Sequence, residues 1–305
     1  MLSRKTSVRR AIRLAALGAI LAACGGSGPH VDAPQATEAS AQETRRVRFH
    51  LVAPESGHEH EIDVFVPSGT PPREGYPVVL ALDGNRVSAL LEEALGAGAR
   101  LDVAVVALGY RGTRDFAVRE RAFDYTPTTR EGLRAPDPLS SERENGGAEA
   151  FVRFIEEVVK PEVARRAPID WRRSTLFGHS YGGLFVLYAM LERPRAFARY
   201  VAVDPSLWWR DAQLFERLMR EAPPEGVELE LVQANPDLPH ETAGRTPERV
   251  ELRQRLHAAL PADAYAQLTA RYGARYRYEA AHHHGSLFAA SLRALLGFDP
   301  PVEAR

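Results

Sequence analysis

The chain has 305 residues, of which 45% are hydrophobic and 26% charged, with a net charge of −1 and a single cysteine. Its length admits one large domain or two small ones, and its composition is that of an ordinary globular protein. The near-neutral charge gives no basis for a nucleic-acid partner, and one cysteine excludes both an internal disulfide and a thiolate metal cluster.

Taken in chain order, the first signal is a targeting one. Residues 1–13 contain Arg4, Lys5, Arg9, Arg10 and Arg13 with no acidic residue, and a short apolar run ends at Leu21-Ala22-Ala23 before Cys24. A basic region, an apolar core too short to cross a bilayer and small residues at a cut site describe a secretory signal peptide over 1–23. Leu-Ala-Ala-Cys also matches the bacterial lipobox, so Cys24 is the expected lipidation site. Gly25 in place of an aspartate resembles lipoproteins sorted onward to the outer membrane. Residues 24–44, rich in Ala, Gly, Ser, Pro and Gln without apolar periodicity, read as a flexible linker. The expectation is an exported protein held to the cell envelope by a lipid anchor, with its folded body over 45–300.

Val47, Phe49 and Leu51 alternate with polar residues, as do Ile62, Val64 and Val66, which predicts two antiparallel strands joined by a turn near Gly57. Beyond them the apolar runs become continuous, at 78–82, 103–108, 175–177, 200–203 and 227–232, with a last strand over 275–280. Such runs suit parallel strands covered on both faces. Helical patterns fall between them at 87–95, 148–165, 184–192, 212–220, 247–260 and 286–296. The alternation predicts one α/β domain: a mostly parallel central sheet with helices on both faces and an N-terminal antiparallel pair. Two long polar connections, 110–147 and 234–246, are read as functional loops.

The chemistry centres on Gly178-His179-Ser180-Tyr181-Gly182, a G-x-S-x-G pattern between a short apolar strand and an apolar helix. A serine on so sharp a strand-to-helix turn needs glycines around it for room, and the helix N-terminus behind it favours an oxyanion. A serine nucleophile needs a base, an orienting acid and an oxyanion hole, with the chain order serine, acid, histidine. His284, in His282-His283-His284-Gly285-Ser286 after the last strand, is the expected base. Adjacent histidine side chains diverge and no third ligand accompanies them, so no metal is expected there, and the chemistry calls for no cofactor. Asp237, five residues past the strand at 227–232, is the chosen acid, with Glu241 and Asp204 as competitors. The oxyanion donors are expected to be the N–H of Tyr181 and that of Gly84 or Asn85, in Leu82-Asp83-Gly84-Asn85 at the end of the first parallel strand.

Several segments together resemble the Putative esterase family of α/β hydrolases, the esterase D type, and within it the trilactone siderophore hydrolases. They are Leu-Asp-Gly-Asn at 82–85, Arg-Ala-Phe-Asp-Tyr-Thr-Pro at 121–127 and Gly-Gly-Ala-Glu-Ala-Phe at 146–151. Thr-Leu-Phe-Gly-His-Ser-Tyr-Gly-Gly-Leu-Phe follows at 175–185, then Pro-Ser-Leu-Trp-Trp at 205–209 and His-Gly-Ser at 284–286. The resemblance implies an α/β-hydrolase fold and hydrolysis of carboxylic esters through Ser180 and His284. Two departures touch the acid: Asp204 stands where the family pattern leads one to expect serine, and the loop after 234 lacks the usual Gly-rich, Glu-containing form. As some relatives manage with serine and histidine alone, an absent acid stays a further alternative. For substrate contacts, Trp208 and Trp209 are expected as an apolar or stacking wall. Arg121, with Arg114 and Arg119, is expected to meet an anionic or catecholate ester. Acyl transfer to a hydroxyl acceptor, a non-catalytic surface-anchored binding lipoprotein and a ferric-siderophore handling protein are the alternative readings.

Overall fold

The computed structural model describes residues 44–238 and 246–298. The segment expected as signal peptide, all of the expected linker but Thr44, Cys24 and Glu241 lie outside the described residues. Eight strands form one sheet in the order β1-β2-β4-β3-β7-β8-β9-β10. These are β1 (Arg45–Val52), β2 (Glu59–Val66), β3 (Tyr76–Leu82), β4 (Ala104–Tyr110), β7 (Ile169–His179), β8 (Arg199–Val203), β9 (Glu228–Ala234) and β10 (Arg275–Glu279). β1 pairs antiparallel with β2, and β2 antiparallel with β4, while the remaining neighbours are parallel. The eight expected strands are all present, and the sheet is the mostly parallel one predicted, with its N-terminal antiparallel pair.

Helices cover both faces. α1 (Gly84–Gly96) and α9 (His284–Leu295) pack Val87, Leu91, Leu287, Phe288 and Leu292 on one side of the sheet. The other side carries α3 (Ala148–Phe154), which runs through a π turn at Ile155–Val159 into α4 (Lys160–Ala164), with α5 (Tyr181–Glu192), α6 (Trp209–Arg220) and α8 (Ala264–Tyr272). α5 is apolar all round, and ten of its residues are buried against β7, β8 and the surrounding helices. α7 (Pro247–His257) follows the region left undescribed.

The connection at 110–147 is not the irregular loop expected. It holds α2 (Val118–Asp124) and a hairpin of β5 (Ala135–Asp137) and β6 (Ser140–Asn145). Its charged residues concealed this order, because several of them are buried and paired, as Asp124 and Asp137 are. α8 was also not foreseen; its buried residues are only Ala264 and Leu268, too few for a clear apolar stripe.

One buried carboxylate ties the antiparallel edge to the helical layer. Asp63 on β2 is 2% exposed and accepts hydrogen bonds from Arg46 and Arg48 on β1 and from the Ser88 hydroxyl on α1 at 2.7 Å. Burial alone would raise its pKa, but the guanidinium and hydroxyl donors outweigh that and hold it down at about 2. A folded-state pKa below the unfolded value contributes stability above the ordinary carboxylate range, lost as pH falls toward the folded value. Asp63→Asn is therefore expected to cost about 1–3 kcal/mol at neutral pH, read as a lower Tm. The difference from the parent should close as pH is lowered toward about 2; an undiminished difference there would contradict this account.

Candidate active site

β7 ends at His179, and the chain reverses into α5 through Ser180, whose φ of 60° and ψ of −119° lie outside the ordinary regions for a side-chain-bearing residue. The strain is held by backbone bonds on both sides: Ser180 N–H donates to the Val203 carbonyl at 3.0 Å, and Leu184 N–H donates to the Ser180 carbonyl at 2.9 Å. Gly178 and Gly183 are required by contact, whereas Gly182 is not, since a Cβ there would come no nearer than 3.5 Å to another atom. A Cβ on Gly178 would lie 2.3 Å from the Gly182 carbonyl oxygen, and one on Gly183 would lie 2.9 Å from the Val203 oxygen.

Around this turn three side chains form a hydrogen-bonded row. His284 Nε2 lies 3.1 Å from Ser180 Oγ, and His284 Nδ1 lies 2.6 Å from Asp204 Oδ2. A carboxylate only accepts, so Nδ1 carries the proton and Nε2 is left to accept from the serine hydroxyl. Asp204 follows β8, next to β7 in the sheet, while His284 opens α9 after the loop that leaves β10. The second oxygen of Asp204 accepts from Ala234 N–H at 3.2 Å and from the Tyr265 hydroxyl at 3.1 Å. Burial works to raise the Asp204 pKa, but the hydrogen bond and electrostatic attraction of His284, with the Ala234 N–H, outweigh it and leave the carboxyl below its ordinary value.

A second histidine lies beneath the first. His179 is 4% exposed, its ring centroid is 4.5 Å from that of His284, and its Nε2 is 2.9 Å from the His284 carbonyl. The carbonyl accepts, so Nε2 carries the proton, and Nδ1 is buried with no hydrogen-bond partner among the described residues. Burial, reinforced by the neighbouring His284, drives the His179 pKa well below the usual imidazole value, so the ring is neutral.

The structure brings Asp204, not Asp237, to His284. Asp237 is exposed in a turn, and its backbone N–H is capped by the Asn235 side chain at 3.0 Å. Asn235 is the residue of that loop that reaches the histidine-bearing segment: its N–H donates to the His282 carbonyl at 2.8 Å and its side chain to the Ala280 carbonyl at 3.0 Å. The loop is thus pinned before Asp237.

Gly84 and Asn85 begin α1 beside the turn, so their N–H groups belong to the first turn of a helix, where no intrahelical acceptor exists. Tyr181 occupies the same position in α5. The Asn85 side chain is spent on β4 and its exit, donating to the Tyr110 and Thr113 carbonyls at 2.8 Å and accepting from Tyr110 N–H at 2.9 Å. The loop bearing Gly84 is fixed by Asp83, whose φ is 57° and whose N–H donates to the Tyr125 hydroxyl at 3.1 Å.

Arg121 also differs from its expected role as a substrate contact. Its guanidinium forms a two-pronged pair with Asp83 at 2.7 and 3.0 Å and donates to the His179 carbonyl at 3.3 Å. Both groups are largely buried, and a buried carboxylate calls for such a partner. Arg114 and Arg119 are exposed. The tryptophans are not an exposed wall: Trp209 is fully buried and donates its indole N–H to Asn145 at 3.0 Å, and Trp208 is 6% exposed, stacked on His257. Tyr181 points its hydroxyl at Asp137 on the hairpin, 2.9 Å away, which ties the hairpin to the start of α5. Ser206, Tyr265 and His179 were not singled out from the sequence. Ser206 and His179 lay in quoted motifs without being assigned a part; a tyrosine 61 residues from its carboxylate partner leaves no local signal.

Known proteins resemble this chain in sequence and in fold. Ferri-bacillibactin esterase BesA of Bacillus subtilis is 40% identical over 158 residues, spanning 49% of this chain and 54% of the relative. The match thus spans about half the length of that relative. Enterobactin hydrolase IroE, solved in complex with DFP, superposes with a TM-score of 0.60 at 25% identity, covering 84% of this chain and 95% of its own. Siderophore hydrolase EstB from Aspergillus nidulans gives 0.61 at 27% identity, covering 85% and 97%. The family described as Putative esterase matches residues 53–298, and the chain belongs to that family of α/β hydrolases.

Proposed function

We propose that this protein is a serine esterase that cleaves carboxylic esters of the siderophore type through an acyl-enzyme, with Ser180 as nucleophile, His284 as base and Asp204 as orienting acid. The observation that carries the reading is the continuous row from Ser180 Oγ through His284 to Asp204, at 3.1 and 2.6 Å. Named relatives that act on bacillibactin and enterobactin support the substrate class. As Ser180 attacks the ester carbonyl, its proton passes to His284 Nε2, and Asp204 stabilises the imidazolium that forms. The oxyanion is held by the N–H of Tyr181 with that of Gly84 or Asn85, all on helix N-termini. His284 then protonates the leaving alcohol, and a water activated by the same base clears the acyl group. The row needs neither metal nor cofactor for these steps.

Ser180→Ala should abolish hydrolysis of short acyl esters and of trilactones, and should remove labelling by a fluorophosphonate. Asp204→Asn should lower kcat by about 10³- to 10⁴-fold, because Nδ1 loses the acceptor that sets the tautomer. Asp237→Asn should leave kcat and KM unchanged. Full activity in Asp204→Asn, or its loss in Asp237→Asn, would transfer the acid role back to the β9 loop.

The proposal extends to location: export through the segment 1–23 and lipid attachment at Cys24, which hold the enzyme at the cell envelope, on the outer membrane. Support comes from the basic, apolar and small-residue order ending in Leu-Ala-Ala-Cys. In a bacterial host, metabolic labelling with an alkyne fatty acid should mark the protein, and Cys24→Ser should abolish the label. Equal labelling of the two would refute lipidation at that residue.

A further inference from the structure

We propose that Ser206 is a second catalytic hydroxyl, donating a hydrogen bond to Ser180 Oγ and stabilising the negative charge that this oxygen carries as it attacks and as it leaves. The proposal rests on Ser180 being the nucleophile.

Ser206 Oγ lies 3.3 Å from Ser180 Oγ, and the residue is 1% exposed. It is held there independently of its hydroxyl. Its backbone N–H donates to the Ser180 carbonyl at 3.1 Å, and its carbonyl accepts from Trp209 N–H at 3.0 Å. The preceding Pro205 presses on α5 so closely that a Cβ on Gly183 would stand 3.0 Å from the Pro205 Cα. Asp204, two residues earlier, engages His284. One short segment therefore delivers the acid to one end of the row and a hydroxyl to the other.

The direction of the Ser180–Ser206 bond follows from counting protons. Asp204 accepts, so His284 Nδ1 donates; His284 Nε2 then accepts, so the Ser180 proton is committed to it. Ser180 Oγ has lone pairs but no proton left for Ser206. The Ser206 hydroxyl must be the donor, and among the described residues Ser180 Oγ is the side-chain partner it meets.

During attack the Ser180 O–H bond breaks, its proton moves to Nε2, and the oxygen pair forms the bond to the ester carbon. Between those events Oγ is alkoxide-like. In deacylation the C–Oγ bond breaks, the pair returns to Oγ and the imidazolium proton follows. In both steps Ser206 donates to an oxygen more negative than in the resting enzyme, and hydrogen bonds to charged acceptors are shorter and about twice as strong as neutral ones. The resting 3.3 Å contact is longer than a strong O–H···O bond, as catalytic contacts often are before the substrate arrives. The interaction is worth more in the transition state than in the ground state, so it acts on kcat.

The test is Ser206→Ala in the full chain, assayed on a short acyl ester beside the parent and Ser180→Ala. Expected are an unchanged Tm, an unchanged KM and a kcat lowered about ten-fold, the difference between a neutral and a charged hydrogen bond. The rate of covalent fluorophosphonate labelling at Ser180 should fall in parallel, since that step also develops charge on Oγ. A kcat and labelling rate equal to or above the parent's would overturn the proposal, as would a loss carried by KM alone. If Ser180→Ala itself stays active, the nucleophile reading fails instead, so the two failures are told apart.

Discussion

The close approach of Gly178 to Gly182, backbone against backbone, sets the position of every group at the site. It allows β7 to turn directly into α5, so Ser180 projects from the carboxyl end of a central strand while its own N–H and C=O are tied to the neighbouring segment. The Val203 carbonyl that receives the Ser180 N–H belongs to β8, and the chain leaving β8 carries Asp204 and Ser206. The bonds that hold the strained serine thus also locate the acid and the second hydroxyl. A strained residue persists only where its surroundings over-determine it, and here the surroundings are the backbone of β8's exit and of α5.

A second constraint is the burial of charge around the loop after β3. Asp83 follows a strand that is almost wholly buried, and its carboxylate faces the elbow, 3.5 Å from where a Gly182 Cβ would stand. Arg121 meets it with two donors and spends a third contact on the His179 carbonyl. The cation therefore bridges the two turns that lead into α1 and α5. A parallel arrangement lies further out, where Asp124 accepts from the Tyr110 hydroxyl and from His58, both at 2.9 Å. Burial acts to lower the His58 pKa, but the Asp124 carboxylate raises it beyond that. Together these pairs explain how a segment dense in charge folds into α2 and a hairpin.

The strands were legible because continuous apolar runs survive in the sequence wherever both faces of a strand are covered, as at 78–82 and 200–203. Ser180 and His284 were legible because each sits at a turn with a local signature, Gly-x-Ser-x-Gly and His-Gly-Ser. The acid had no such signature. Distance along the chain favoured a loop after β9, but the sheet places the end of β8 beside the serine, and Asn235 anchors the β9 loop before Asp237 is reached. Arg121 and the tryptophans were misassigned for a related reason. Charge and aromatic area mark a residue as able to bind a ligand, but only packing tells whether another part of the chain already occupies it.

His179 adds a last condition. Two imidazoles stand with centroids 4.5 Å apart, and only one of them faces an acid. A proton on His284 next to a charged His179 would meet a like charge in a site of low dielectric, which would oppose the imidazolium that the proposed mechanism forms. Burial keeps His179 neutral and commits its single N–H to the His284 carbonyl. The lower ring therefore holds the upper one from the backbone side while Asp204 holds it from the side chain. The upper ring is left free to change charge without losing its place.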